Sequence, residues 1–159
     1  MKLDRILVPL DGSILAETAM WTALDLAEKN GATISLLRAA VAHALPGSDT
    51  VEAQVIAVRE AEEYLASAAR RLKARGFERV ETHVWYGQPA AAVVEAATVQ
   101  KADMIVMSTH GRSGLGRLIL GSVAESVLRG TTVPILIVRA DNAPVVVPTG
   151  AASPRSSHA

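Results

Sequence analysis

The sequence predicts an α/β fold with a mainly parallel sheet, and three observations carry that expectation. Short apolar runs such as Ile6-Leu7-Val8 and Met104-Ile105-Val106-Met107 alternate with longer stretches of helical period, the pattern of strands joined by crossover helices. The composition is 50% hydrophobic but only 3% aromatic, so Ala, Val, Leu and Ile must fill the interior, which suits close packing of helices on a sheet. With 159 residues, the chain is long enough for one domain that buries roughly 70% of the surface its unfolded form exposes.

The elements run in order along the chain. Residues 6–10 read as the first strand. A helix over 13–30 presents Ala16, Met20, Ala23 and Ala27 on one face and stops at Asn30-Gly31, a left-handed cap signal. Residues 33–37 form the second strand, and a loop with Pro46 and Gly47 leads into a long helix over 51–75. Its stripe of Val51, Val55, Val58, Leu65, Ala69 and Leu72 keeps the helical period until Gly76. Residues 80–85 alternate Val, Glu, Thr, His, Val and Trp, so this strand is expected at a less buried position in the sheet. Pro89 opens a helix that runs to Val99. Residues 104–107 form the fourth strand, 122–129 a short helix stopped by Gly130, and 134–138 the fifth strand. The domain is expected to span 1–140. Pro144, Pro148 and Pro154 stand among small and polar residues in 141–159, which reads as a flexible C-terminal tail in which Val145 to Val147 retain the capacity to pair. No internal repeat is visible.

Sixteen basic and sixteen acidic residues give a formal net charge of zero, which argues against a general nucleic-acid or anionic-membrane binder. Trp21, Trp85 and Tyr86 are too few and too separated for a base-stacking platform. Cysteine is absent, which removes disulfides, thiolate zinc sites and thiol chemistry. The early apolar run is short and broken by Pro9 and Asp11, unlike a signal peptide, and no segment reaches the roughly 18 uninterrupted apolar residues of a membrane span. A cytoplasmic protein is the simplest expectation. His43, His83, His110 and His158 are scattered, which does not suggest a histidine metal site.

The segment with the most chemical content comes after the fourth strand: Ser108-Thr-His-Gly-Arg-Ser-Gly-Leu-Gly-Arg-Leu-Ile-Leu-Gly-Ser-Val-Ala-Glu125. Gly111 and Gly116 have Walker A spacing, but Arg117-Leu118 stands where Lys and Ser or Thr are required. The glycine order and the position after the fourth strand also miss the dinucleotide fingerprint. Ser122-Val-Ala-Glu125 has the form of a capping box, in which Ser122 and Glu125 would each satisfy a free amide. Gly121 just before it would leave a helix start open to an anion, with Arg112 and Arg117 able to add charge. The first strand exits through Pro9-Leu10-Asp11-Gly12-Ser13. If the first and fourth strands are neighbours, Asp11 and the glycine segment share one crevice. There the carboxylate can accept from ribose hydroxyls or an amine, or it simply helps Ser13 cap the next helix. His110 has no Ser/His/Asp arrangement around it, so it is read as positional. Asp11 lacks the neighbouring acid of a phosphoacceptor site.

These residues carry a resemblance. Val8-Pro-Leu-Asp-Gly-Ser13, Ser108-Thr-His-Gly-x9-Gly-Ser-Val-Ala-Glu125 and Val133-Pro-Ile-Leu-Ile-Val138, within about residues 2–139, resemble the universal stress protein family in its small single-domain form. The resemblance implies a three-layer α/β/α sandwich with a five-stranded parallel sheet of order 3-2-1-4-5, flavodoxin-like and similar to the adenine nucleotide alpha hydrolases. The ATP-binding branch of that family carries Gly, two residues, Gly, nine residues, then Gly-Ser or Gly-Thr. Gly111 and Gly121-Ser122 match it, whereas Ser108 stands where the strict pattern has glycine and its Cβ removes clearance. Carried over by position, Pro9, Leu10 and Asp11 would line the adenosine side, with Ala39 meeting the base through its backbone in place of a commoner Val. Met107, Ser108, His110, Gly111 and Arg112 would run along the ribose and phosphates, and Gly121, Ser122, Val123 and Ala124 would hold the phosphate end.

The resemblance implies an ATP-binding regulatory stress-response module with no catalytic residue. Mg²⁺ or Mn²⁺ is expected with the nucleotide, an unidentified protein partner is expected to sense its binding, and the loop at 41–50 is expected to serve as a lid. Two alternatives stay open: slow ATP hydrolysis or phosphoryl transfer, and a dimer that binds no ATP or prefers another adenine nucleotide such as cyclic AMP. The resemblance also implies a homodimer through Pro134, Ile135, Leu136, Ile137 and Val138, which would cover an apolar sheet edge.

Overall fold

The structure, a computed structural model, describes residues 1–43, 46–47, 49–109 and 120–139. Strand β1 (Arg5–Pro9) is followed by α1 (Ile14–Asn30), β2 (Thr33–Ala40), α2 (Thr50–Ala74), β3 (Val80–Tyr86), α3 (Pro89–Val99), β4 (Met104–Ser108), α4 (Ser122–Gly130) and β5 (Ile135–Val138). The strands form one sheet of order β3-β2-β1-β4-β5, and every pairing is parallel. The expected α/β class and strand order are both present.

Strand parity decides which layer each side chain joins. Ile6, Val8, Ile34, Leu36 and Val106 pack with Ala19, Met20 and Ala23 of α1 and with Leu65, Ala68 and Leu72 of α2. Their neighbours Leu7, Leu37, Ile105 and Met107 pack on the opposite face with Val93, Ala96 and Ala97 of α3 and with Ala124 and Val127 of α4. Alanine dominates the buried faces of α1 and α3. The near absence of aromatic residues therefore goes with helices lying close on the sheet.

Local signals set the helix ends. Ser13 Oγ accepts from the Ala16 amide at 3.1 Å, and Gly31 closes α1 at φ +71°. Asp49 caps α2 by accepting from the Val51 and Glu52 amides. Pro89 stands at the first turn of α3.

Two expectations need correction. The stripe on α2 is buried only in its second half: Leu65, Ala69 and Leu72 are buried, whereas Val51 is 69% and Val55 52% exposed. A helix of 25 residues is about 37 Å long, longer than the strands beneath it, so its first turns overhang the sheet. Gly130 does not stop α4 either. It is the last helical residue, and the cap is Thr131, whose amide donates to Val127 O at 3.1 Å.

Strand β3 is a sheet edge, matching its alternating sequence, and its Glu81 takes Arg5 and His83 as partners. Burial of Glu81 is slight, and the hydrogen bond from Arg5 holds its carboxyl below the usual range. Strand β5 is the other edge and pairs with β4 alone. The tail, including Val145 to Val147, lies outside the described residues.

Candidate functional site

The winding direction reverses between β1 and β4, whose carboxyl ends leave a crevice that neighbouring helices cannot fill. A cavity of about 530 Å³ occupies that place, within the usual range for small-molecule sites. Each sequence-predicted site residue that the structure describes lies on its wall: Pro9, Leu10, Asp11, Ala39, Met107, Ser108, Gly121, Ser122, Val123 and Ala124. His110, Gly111 and Arg112 lie outside the described residues, as does Arg117. Of the proposed lid, Val41 and His43 line the cavity, while residues 44, 45 and 48 are outside the described residues.

Asp11 combines the two roles open to it. One carboxylate oxygen accepts from the Ser13 amide at 2.9 Å, which holds the turn into α1, and the residue also lines the cavity. The start of α4 is fixed differently from the sequence reading. Thr109 donates its amide to Val138 O at 3.0 Å, and its carbonyl accepts from the Gly121 amide at 2.7 Å. These bonds set Gly121 as the N-cap, with no side-chain cap.

The capping box is therefore not formed. Ser122 becomes the first helical residue and Glu125 moves one place inward, where Arg129 bonds it at 2.8 Å across one turn. Among the described residues no side chain caps the first-turn amides of Ser122, Val123 and Ala124, at a helix end favourable to anions.

Sequence reasoning missed the opposite wall. Arg38, Ala57 and Glu60 line the cavity from β2 and α2. The Arg38 guanidinium stacks over the Tyr64 ring, 4.7 Å from its centroid. It lies near Gly12, where an added Cβ would stand 3.3 Å from Nη1. Behind this stack, the Tyr64 hydroxyl donates to Glu17 at 3.0 Å, and Arg71 donates to both Glu17 oxygens at 2.7 and 2.8 Å. The bond from Arg71 holds the Glu17 carboxyl below its usual range, while burial and Glu17 push the Tyr64 phenol up. The signal for Arg38 was available: parity puts it on the face of Ile34 and Leu36, an odd place for a lone charge in an apolar strand.

A second hollow of about 250 Å³ lies between α2 and Tyr86 and receives no helix start. Among the described residues no group of three or more His, Cys, Asp or Glu side chains could hold a metal.

A sequence profile described as the universal stress protein family matches residues 2–139. The chain belongs to the universal stress protein family. Universal stress protein MJ0531 of Methanocaldococcus jannaschii is 30% identical over 138 residues, covering 85% of this chain and 81% of that protein. Among solved structures, protein MJ0577 matches with a TM-score of 0.77 at 25% identity, over 89% of this chain and 99% of its own. A universal stress protein crystallised in complex with cAMP matches with a TM-score of 0.69 at 28% identity, over 87% and 98% of the two chains.

Proposed function

We propose that this universal stress protein is an ATP-binding regulatory module whose nucleotide lies in the crevice between Asp11 and the start of α4. The observation that carries the reading is that crevice: one cavity joins a carboxylate at the exit of β1 to a helix start without a side-chain cap. The donor chemistry fits a nucleotide. Backbone amides of Ser122, Val123 and Ala124 suit phosphate oxygens, the second oxygen of Asp11 suits ribose hydroxyls, and the backbone at Ala39 suits the base. By the family resemblance, His110, Gly111 and Arg112 complete the phosphate end. Asp11 and Glu60 alone supply carboxylates to the described wall. A divalent ion such as Mg²⁺ or Mn²⁺ would thus be held chiefly by the phosphates it accompanies. The role of the protein is to bind and orient, and no residue is assigned to catalysis.

Occupancy would alter recognition by a protein partner in the cytoplasm. Among the described residues no helix is long and apolar enough to cross a membrane. The apolar edge strand β5, with Pro134 before it, supports a homodimer in which two copies of Ile135–Val138 meet. Sedimentation at micromolar concentration would give a dimer, and a monomer alone would discard that contact.

A second reading, cyclic AMP, has a specific support in the relative crystallised with cAMP and in Ser108 standing where the ATP-binding pattern has glycine. Denaturing the purified protein and identifying released nucleotides by mass spectrometry, followed by calorimetry with Mg-ATP and cyclic AMP, tests both. ATP release and a Mg-ATP heat are expected. Heat from cyclic AMP alone would favour the second reading, and no adenine nucleotide in either experiment would overturn both.

A further inference from the structure

The cavity has two ends of different character, and the nucleotide reading accounts for one of them. At the far wall, Arg38 is half-buried on β2. Its guanidinium stacks on the Tyr64 ring and occupies the space beside Gly12 that a Cβ would enter. Arg5, Arg71 and Arg129 each have a carboxylate partner. Among the described residues none accepts a hydrogen bond from Arg38, and no carboxylate oxygen lies within ion-pair distance of it, although Glu60 lines the same cavity. Arg59, Arg70 and Arg75 also lack a carboxylate, but they are exposed, where water serves them. The Arg38 nitrogens are not buried away from the cavity, so its donors face the space a ligand would occupy and can take an acceptor from it.

Position narrows the kind of ligand. Strand β2 is separated from β4 by β1, so Arg38 and the start of α4 belong to strands about 10 Å apart. A 5′-phosphate chain seated on α4 points away from Arg38. An anion that reaches Arg38 must come from the nucleoside end. Gly12, against which the guanidinium lies, directly follows Asp11, the residue assigned to the ribose. In dinucleotide folds, an acid near the ribose takes a free hydroxyl and an arginine near it accommodates a phosphate. With both residue types at this site, Asp11 would take the hydroxyl that stays free and the planar fork of Arg38 would take the phosphate on the other.

We propose that Arg38 is a specificity-determining residue of this site, and that it selects adenosine 5′-nucleotides carrying a further phosphate on the ribose 2′ or 3′ oxygen. The proposal rests on the nucleotide-binding reading of the crevice. Stacking on the Tyr64 ring orients the guanidinium before the ligand arrives.

Calorimetry on the full chain, freed of bound nucleotide, would compare AMP with adenosine 2′,5′-bisphosphate and adenosine 3′,5′-bisphosphate. In the parent protein, one bisphosphate is expected to bind at least about ten-fold more tightly than AMP, the gain of a charge-assisted pair, and the stronger one identifies the ribose position. Arg38→Gln should bring the ratio to within about two-fold, and Arg38→Lys, which keeps the charge but loses the fork, should leave an intermediate ratio. Equal binding of AMP and both bisphosphates by the parent would overturn the proposal, as would a preference that survives in folded Arg38→Gln. The comparison in the parent decides the matter even if Arg38→Gln fails to fold. If AMP binds with no preference, only the role of Arg38 falls. If none of the three binds, the nucleotide reading falls with it.

Discussion

Replacing Glu17 by Gln tests the polar network behind the cavity. The carboxylate accepts three hydrogen bonds, two from Arg71 and one from Tyr64, and its side chain is 16% exposed. Buried hydrogen bonds to a charged group contribute about 1.5–3 kcal/mol each, but the Arg71 side chain is 41% exposed, which discounts the pair towards the roughly 1 kcal/mol of surface ion pairs. Gln keeps one acceptor oxygen and loses the charge. The expected loss at neutral pH is about 1.5–2 kcal/mol, or a Tm lower by about 3–8 °C for a chain of this size. The folded-state pKa of Glu17 lies below the ordinary value of 4.5, so the unfolded chain takes up the proton first as pH falls. The contribution is therefore complete above the unfolded pKa and is lost as pH falls through the folded one. Urea titrations at a series of pH values should show parent and variant separated at neutral pH and converging below 4.5. A gap under about 0.5 kcal/mol at neutral pH, the size of an ordinary surface substitution, would refute the reasoning. So would a gap that stays constant into acid.

Three further substitutions probe the core and the site. Leu65→Ala removes a fully buried side chain and should cost about 3 kcal/mol by urea denaturation. Gly12→Ala places a Cβ at φ +87° and 3.3 Å from Arg38. A stability loss of about 1–2 kcal/mol is expected, together with a weakened bisphosphate preference by calorimetry. Asp11→Asn retains an oxygen for the Ser13 amide, so its urea midpoint should stay near the parent value while calorimetry shows nucleotide affinity falling about ten-fold.

The layers were legible because each strand carries its own instruction. Ile6-Leu7-Val8 is apolar without alternation and sits mid-sheet, while Val80 to Trp85 alternates and sits at an edge. Pro89, Gly31 and Ser13 mark helix ends by backbone chemistry that needs no partner. The long helix was read too generously because periodicity reports a face and cannot report where the sheet beneath it ends. Val51 and Val55 keep the period and still face solvent. The capping box failed for a similar reason. Ser122 and Glu125 have the right spacing, but the Thr109 carbonyl, reached only through the tertiary fold, takes the Gly121 amide and shifts the helix start by one residue. The near wall could be read from Asp11 and the Gly121-Ser122 pair. The far wall needs α2 brought beside β2, and no local pattern announces that Tyr64 will lie under Arg38.

The first turn of α4, without a side-chain cap among the described residues, ties local stability to the guest. A helix of nine residues has little to spare at its ends, so the empty protein should fray there first on warming. A phosphate seated on those amides would act as the stopper that Ser122 and Glu125 do not provide. Hydrogen exchange at residues 122–125 would then report occupancy directly, turning the shortest helix of the described fold into its gauge of filling.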